Sequence, residues 1–437
     1  MSLIEVVNPA TGDILGEIVD FGSIGVDEAV AAAREAFEDK RWRGKRPSEQ
    51  EAVLWRVAEL VERDCEELTL LETLETGKTL KEARETGVRA SADAFRYYAG
   101  LVRRIATRRV PLGVVGAIVP WTYPLGLATR KLAPALACGN SVVLKPSERT
   151  PYTAMRLTQL MEEAGLPEGV VQVITGFGNT TGDALARHMD VDKITFTGST
   201  RTGRRLLVAS AESNLKPVSL DLSGKCTHIV FADADLKSPN LFPVPGHICF
   251  TGGRILVESS IHDRFLESLL RSVRALRLGD PRAEGIDIGS LSSEAQMNRV
   301  LDCIESGKAE GATLLCGGER EGTEGCFVQP TVFADVRPEM RIAIEETCGP
   351  VFSIIRFDSE VEALRITNGA ARAVAAVVWT SDQMKAERMV SNLRAGNIWI
   401  NAYNECDSAC SIGEFGRDLG EVAVEQFTTI KSVWNAR

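Results

Sequence analysis

The run Val114-Val115-Gly116-Ala117-Ile118-Val119 is short, apolar and rich in β-branched residues, and an amphipathic helical pattern follows it. Such a run is typical of a buried strand, because helices cover both faces of a parallel sheet. Similar runs recur beyond it, separated by helical stretches, at residues 141–144, 170–174, 193–196 and 217–222. The alternation predicts a parallel, doubly wound α/β sheet.

The sequence on either side of this alternation extends the prediction. Between Val26 and Gly77 the pattern is helical; Ser48 and Glu51 form an S-x-x-E capping sequence, and Gly77 is a stop signal. A second alternation predicts a second α/β domain, with strands at residues 228–231, 255–258, 351–357, 374–380 and 397–401. We place the boundary between the domains at a strand-to-strand passage near Leu222 to Lys225.

Composition restricts the class of protein. A chain of 437 residues is too long for one hydrophobic core, and its net charge of -10 disfavours nucleic acid and anionic membranes as partners. The amino terminus carries no basic segment and no long apolar run occurs, so we expect no membrane association and a cytoplasmic location. The 10 cysteines form no CxxC pair, which predicts reduced thiols and no metal site.

Two stretches have residue types that suit a nucleotide. Lys145 and Glu148 follow a predicted strand, where a cation and an anion can grip a ribose; a solvated loop is the alternative. Gly198 and Ser199 end another strand and open a helix, so that N–H groups and the Ser199 hydroxyl can meet a pyrophosphate. A plain N-cap is the alternative there, and neither stretch is the G-x-G-x-x-G fingerprint.

Together with these stretches, four others resemble motifs of the NAD(P)-dependent aldehyde dehydrogenases. PWTYP at 120–124 resembles PWNFP, LDLSGK at 220–225 resembles LELGGK, GHICFTGGR at 246–254 resembles GQxCxAGSR, and EETCGPV at 345–351 resembles EEIFGPV. Residues 8–12 and 427–434 also look like this family, so the resemblance spans nearly the whole chain.

The resemblance implies an aldehyde dehydrogenase-like α/β fold. It consists of a Rossmann-type doubly wound cofactor domain formed by residues 1–100 and 111–221, and an α/β catalytic domain formed by residues 222–416. Residues 101–110 and 417–437 would be bridging or oligomerisation segments. Because the stretch at 101–110 is shorter than the family's oligomerisation hairpin, we expect a homodimer rather than a tetramer.

The resemblance also implies a site for an aldehyde and NAD, with NADP as the second choice. Cys249 is the implied nucleophile, which would form a thiohemiacetal and then a thioester. Lys145 and Glu148 would bind the adenosine ribose, where the Glu148 carboxylate accepts a 2′-OH and repels a 2′-phosphate. The other implied cofactor residues are Gly198 and Ser199 at the pyrophosphate, Trp121 at the adenosine phosphate and Glu346 at the nicotinamide ribose.

Several positions depart from the family's pattern. Thr122 replaces an asparagine that stabilises the oxyanion, and Asp221 replaces a glutamate that acts as general base. Ser223, His247 and Cys348 also differ from the family's residues. Three hypotheses follow: an active aldehyde dehydrogenase, a catalytically impaired homologue with a nucleotide-binding or scaffold role, or a CoA-acylating aldehyde dehydrogenase. The aldehyde itself is not predicted, because the loops that contact substrates are altered in length.

Overall fold

The structure is a computed structural model of the chain. It describes residues 2–105, 109–222, 224–238, 241, 253–369, 373–403, 407–411 and 417–434, and for residues 373 and 374 it describes the backbone alone. Cys249, Ser223 and His247 therefore lie outside the described residues.

The described strands and helices alternate along most of the chain. The strands are β1 (Ser2–Val7), β2 (Ile14–Asp20), β3 (Val110–Pro111), β4 (Val114–Ile118), β5 (Ser141–Lys145), β6 (Val171–Val173), β7 (Lys193–Gly198), β8 (Val218–Leu222), β9 (Lys225–Val230), β10 (Arg254–Glu258), β11 (Thr313–Cys316), β12 (Thr331–Ala334), β13 (Val351–Phe357), β14 (Ala373–Trp379), β15 (Ala395–Ile400) and β16 (Thr428–Thr429). The α-helices are α1 (Gly22–Glu38), α2 (Pro47–Arg63), α3 (Cys65–Thr76), α4 (Leu80–Glu82), α5 (Ala90–Ile105), α6 (Pro124–Ala137), α7 (Tyr152–Glu163), α8 (Asp183–Arg187), α9 (Thr200–Ala211), α10 (His262–Ala275), α11 (Glu294–Ala309), α12 (Arg341–Ile344), α13 (Glu360–Asn368), α14 (Gln383–Asn392) and α15 (Gly420–Gln426). Residues Ala83–Arg89 and Gly178–Gly182 form π-helices, and Ser259–Ile261 forms a 3₁₀ turn.

The first sheet confirms the predicted doubly wound arrangement. Its strands are all parallel and lie in the order β6-β5-β4-β7-β8. Neighbouring residues of one strand face opposite cores: Val142 packs with α2, α5, α6 and α7, whereas Val143 packs with α1, α8 and α9. The chain leaves β4 for β5 on one side and later returns to β7 on the other. Such a reversal opens a ligand crevice at the carboxyl ends of the strands.

The second sheet has the order β11-β12-β13-β10-β9-β14-β15, and it is parallel except for the edge pair β11 and β12. Strand β8 ends at Leu222 and β9 begins at Lys225, which confirms the predicted strand-to-strand passage. Because so short a connection joins the sheets, the carboxyl edge of the first sheet lies beside the amino edge of the second.

The start of α2 corrects one prediction. Ser48 is not its N-cap: the helix begins at Pro47, and Arg46 is the N-cap, with its backbone N–H donated to the Glu49 carboxylate at 2.8 Å. Proline is favoured at the first helical position because its φ is already helical, and this places the boundary ahead of Ser48. The predicted stop at Gly77 is confirmed, since Gly77 ends α3 in the left-handed conformation at φ +81°.

The end of α3 also forms a tight seam with the second half of the chain. A Cβ added to Gly77 would lie 2.2 Å from Ser290 Oγ, and one added to Gly289 would lie 1.9 Å from the Gly77 carbonyl oxygen. The Leu80 N–H donates to the carbonyl of Pro281 at 3.2 Å. The two halves therefore touch backbone to backbone, with no room for a side chain at either glycine.

The described residues contain neither a membrane-spanning helix nor a metal-binding cluster of side chains. No described helix has both the length and the apolar surface that a bilayer crossing needs. No three His, Cys, Asp or Glu side chains in the described part of the chain lie close enough to bind a metal ion.

Candidate active site

The predicted cofactor residues gather at the carboxyl edge of the first sheet. Ile118 at the end of β4 pairs with Lys145 on one side and with Phe196 on the other. Gly198 ends β7, and Thr197 pairs with Asp221 of β8. Parallel strands bring these ends to one edge, so residues far apart in sequence share the crevice.

Lys145 and Glu148 form an ion pair at the end of β5. The Lys145 Nζ lies 3.7 Å from Glu148 Oε2 and donates to the Pro146 carbonyl at 2.9 Å. Burial lowers the pKa of Lys145, while the charges of Glu148 and Asp20 oppose this effect. The Glu148 side chain remains 28% exposed, so its carboxylate is open to a ligand at the edge.

Gly198 and Ser199 form the turn between β7 and α9. Gly198 has φ +153°, and a Cβ there would lie 2.5 Å from the Phe196 ring, so no larger residue fits. Ser199 is the N-cap of α9, with its Oγ accepting the Thr202 N–H at 3.2 Å. The Ser199 hydroxyl oxygen therefore does act as a plain N-cap, which was the alternative to a pyrophosphate contact. The first N–H groups of α9 have no partners within the helix and can still meet an anion.

Trp121 and Thr122 lie in the turn between β4 and α6. Trp121 is half-buried and Thr122 is buried. The next residue, Tyr123, contacts charged side chains: the Lys78 ammonium lies 3.6 Å from the centre of its ring, and the Glu82 carboxyl group lies close to its hydroxyl. The turn that carries Thr122 is therefore anchored to a buried cluster of charged side chains.

Asp221 is a buried carboxyl group with an unusual environment. The pKa of Asp221 is raised to about 6, mainly by burial and secondly by the charge of Asp418. The charges of Lys131 and Arg130 and a hydrogen bond from Thr197 oppose this rise. A carboxylate with a pKa near the working pH suits a general base.

Sequence reasoning missed the ion pair beside Asp221. Lys131 of α6 pairs with Asp418, and both side chains are almost fully buried. Lys193 lies close by, and its own burial, with the charge of Lys131, lowers its pKa to about 8. One signal was available, because Lys131 and its neighbour Arg130 are the two charged residues of the mostly apolar helix Pro124–Ala137. Asp418 gave no such signal, since it lies outside regular structure.

A cavity of about 850 Å³ adjoins this ion pair. Its lining includes Tyr97, Gly126, Arg130, Trp399 and Leu419. Arg130 and Leu419 are the sequence neighbours of Lys131 and Asp418, so the cavity reaches the surroundings of Asp221. Apolar rings with a few charged groups are typical of small-molecule sites.

Glu346 lies at the amino edge of the second sheet, between α12 and β13, and is half-buried. Gly253, which begins the described chain after residues 242–252, precedes β10 at the same edge. The described chain thus resumes at Gly253, at the amino edge of the second sheet, and Cys249 lies outside the described residues.

Comparisons with known proteins match nearly the whole chain to one family. The model of the aldehyde dehydrogenase family matches residues 1–433. A relative from Agaricus bisporus named aldehyde dehydrogenase is 40% identical, over 98% of this chain and 91% of its own length. Another from Mus musculus, named cytosolic aldehyde dehydrogenase 1, is 42% identical over 98% of this chain and 90% of its own length.

Solved structures are similar over the whole fold. The indole-3-acetaldehyde dehydrogenase of P. syringae, in complex with NAD+, superposes with a TM-score of 0.96 at 39% identity, covering 99% of this chain and 93% of that one. The NAD+ complex of an aldehyde dehydrogenase from Bacillus cereus has a TM-score of 0.96 at 38% identity, with the same coverage of 99% and 93%.

Proposed function

Because the chain belongs to the aldehyde dehydrogenase family, we propose that it oxidises an aldehyde to a carboxylate with NAD+, through a thiohemiacetal and a thioester on Cys249. One observation carries the proposal. Lys145, Gly198 and Asp221 lie together at the carboxyl edge of the first sheet. This edge lies beside the amino edge of the second sheet, where Gly253 and Glu346 are located.

The residues at this edge fit a dinucleotide. Lys145 and Glu148 supply a cation and an acceptor for the adenosine ribose, and the amino end of α9 at Ser199 supplies N–H donors for the pyrophosphate. Trp121 would line the adenosine-phosphate site and Glu346 would accept hydroxyls of the nicotinamide ribose. Glu148 favours NAD over NADP, since a carboxylate repels a 2′-phosphate.

The chain's own groups would carry out the remaining chemistry. The Cys249 thiolate attacks the carbonyl carbon, a C–S bond forms, and Thr122 donates its hydroxyl to the resulting oxyanion. When bound, NAD+ supplies the acceptor for the hydride that leaves this carbon as the thioester forms. Asp221 then takes a proton from the water that attacks the thioester. The C–S bond breaks, the carboxylate leaves, and the sulfur departs as a thiolate.

The division of the chain, its oligomeric state and its location complete the proposal. We keep the division into residues 1–100 and 111–221, 222–416, and the bridging segments 101–110 and 417–437, which agrees with the membership of the two sheets. A homodimer is supported by the exposed apolar side chains of Ile430, Val433 and Trp434 beyond β16. A cytoplasmic location is supported by the cytosolic relative of Mus musculus.

The test is the reduction of NAD+ by a panel of short aliphatic, aromatic and polar aldehydes. We expect turnover by the wild-type chain, none by Cys249→Ala, and wild-type turnover by Cys65→Ala, since Cys65 lies on α3 outside the site. A wild-type rate no higher than that of Cys249→Ala with every aldehyde would refute the proposal.

A further inference from the structure

A buried lysine, Lys225, hydrogen-bonds to the start of the segment Glu345–Pro350, here called the Glu346 segment. Lys225, the first residue of β9, is 3% exposed. Its Nζ donates to the carbonyl of Ile342 at 3.0 Å and to the carbonyl of Glu345. The carbonyl before Glu346 is thus fixed by a donor from a strand at the centre of the second sheet.

Gln296 of α11 holds the same segment from its other end. Its Nε2 donates to the carbonyl of Cys348 at 2.5 Å. Its Oε1 accepts the N–H and the hydroxyl of Ser292, both at 2.9 Å. Both ends of the amide are used, so the side chain has one fixed orientation.

The backbone of the segment is strained, and its surroundings keep it so. Cys348 has φ +40°, a left-handed conformation that a residue with a Cβ adopts at a cost. Next to it, a Cβ on Gly349 would lie 2.7 Å from Val300 Cγ2, and Thr347 Oγ1 lies 3.6 Å from Cys303 Sγ. Strain of this kind persists only where the neighbours determine the conformation.

Lys225 also contacts the chain that follows Cys249. A Cβ added to Gly253 would lie 2.6 Å from both Cδ and Cε of Lys225, so the lysine stem occupies that space. Burial lowers the pKa of Lys225 to about 8, and the charge of Glu346 is among the effects that oppose this. One side chain therefore spans from Gly253 to the Glu346 segment.

We propose that Lys225, together with Gln296, is a positioning residue that fixes Glu346 relative to the chain leaving Cys249. By fixing Glu346, Lys225 strengthens the binding of the nicotinamide ribose. This inference rests on the proposed function, in which Glu346 binds that ribose. Neither residue needs to touch the ligand, because each acts through a backbone carbonyl of the Glu346 segment.

The experiment compares two ligands by calorimetric titration of the full-length chain. NAD+ uses the whole cleft, whereas ADP uses only the part formed by Lys145, Glu148 and Ser199. We expect Lys225→Met and Gln296→Met each to weaken NAD+ binding about tenfold, the effect of losing roughly one hydrogen bond, and to leave ADP binding within about twofold. General damage to the fold would weaken both ligands alike.

Two further variants complete the design. Lys216→Met is the matched control, because Lys216 is also buried and donates to a backbone carbonyl, that of Ala186, away from the Glu346 segment; it should change neither affinity. Glu346→Gln should reproduce the selective loss, and Lys225→Met should add little to it, as expected for two residues acting on one contact.

Three results would overturn the inference. If Lys225→Met and Gln296→Met leave NAD+ binding unchanged while Glu346→Gln weakens it, the positioning role is refuted and the proposed function stands. Equal losses of NAD+ and ADP would also refute it. A wild-type chain that binds neither ligand would refute the proposed function itself.

Discussion

Thr197 Oγ1 donates a hydrogen bond to Asp221 Oδ2 at 3.3 Å, across the neighbouring strands β7 and β8. This contact favours the ionised carboxylate and opposes the burial that raises the pKa of Asp221 to about 6. The hydroxyl of Thr197 therefore helps to set the pH at which the proposed base is ready to accept a proton.

Thr197→Val should shift the acid limb of the pH profile of kcat to higher pH. Valine matches the shape of threonine but donates no hydrogen bond, so the proton on Asp221 is held more tightly. The profile should be recorded from about pH 5 to 9, the range that brackets a base titrating near neutrality. Thr195→Val is the control, because Thr195 is buried on the same strand; equal shifts in both variants would contradict the prediction.

Asp221→Asn should abolish most turnover and yet stabilise the fold. The pKa of Asp221 is raised from 3.8 to about 6, so the folded state binds the proton more tightly and loses stability as the pH rises through this interval. Removing the charge should gain on the order of 3 kcal/mol above pH 6 and almost nothing below pH 4. Thermal unfolding at both pH values measures the difference; a gain that is equal at both would be evidence against a buried carboxylate.

Thr122→Asn should raise kcat, by up to about a hundredfold, if an oxyanion donor limits the rate. The longer amide reaches further than the Thr122 hydroxyl from the same backbone position. Thr122→Val, which keeps the shape and removes the donor, should lower kcat. The measurement is the steady-state kcat with the aldehyde of the panel that is oxidised fastest. An unchanged kcat in both variants would show that Thr122 has no part in the mechanism.

Glu148→Gln should improve the use of NADP+ relative to NAD+ by about tenfold, because a neutral amide no longer repels the 2′-phosphate. The measurement is the ratio of kcat/KM for the two cofactors. Glu163→Gln, on the exposed end of α7, is the matched control. A ratio that moves equally in the two variants would show only a change of net charge.

Lys131→Met should destabilise the fold by about 3–5 kcal/mol, because it leaves Asp418 charged and unpaired in the interior. The double variant Lys131→Met with Asp418→Leu should recover much of that loss, since neither member of the pair is then left charged without its partner. Urea unfolding of the three chains tests both statements. If the double variant is no more stable than the single one, the cost lies in packing rather than in charge.

All five strands of the first sheet and five of the seven in the second could be predicted from the sequence, because buried parallel strands are short apolar runs and the helices between them are amphipathic. The edge pair β11 and β12 was missed. Lys145 and Gly198 could also be placed, since each follows such a run directly. The start of α2 was misplaced, because the preference of Pro47 for the first helical turn outweighed the capping sequence at Ser48.

The parts of the site that could not be predicted depend on distant contacts. Asp418 meets Lys131, and Gln296 meets Cys348, only after the chain has folded. The local sequence does not identify the partner in either pair: Lys131 stands in a mostly apolar helix, but nothing near it in the sequence points to Asp418. The prediction for Cys249 remains untested, because that residue lies outside the described part of the chain.

The contact of Gly77 with Gly289 has a consequence for biosynthesis. The ribosome synthesises the first sheet and its helices well before Gly289. The surface around Gly77 therefore stays exposed to solvent until Gly289 has been synthesised. A mutation that gives Gly289 a side chain would meet its clash with the Gly77 carbonyl only at this late docking step. Its expected signature is a chain with a well-formed amino-terminal half that accumulates in association with chaperones.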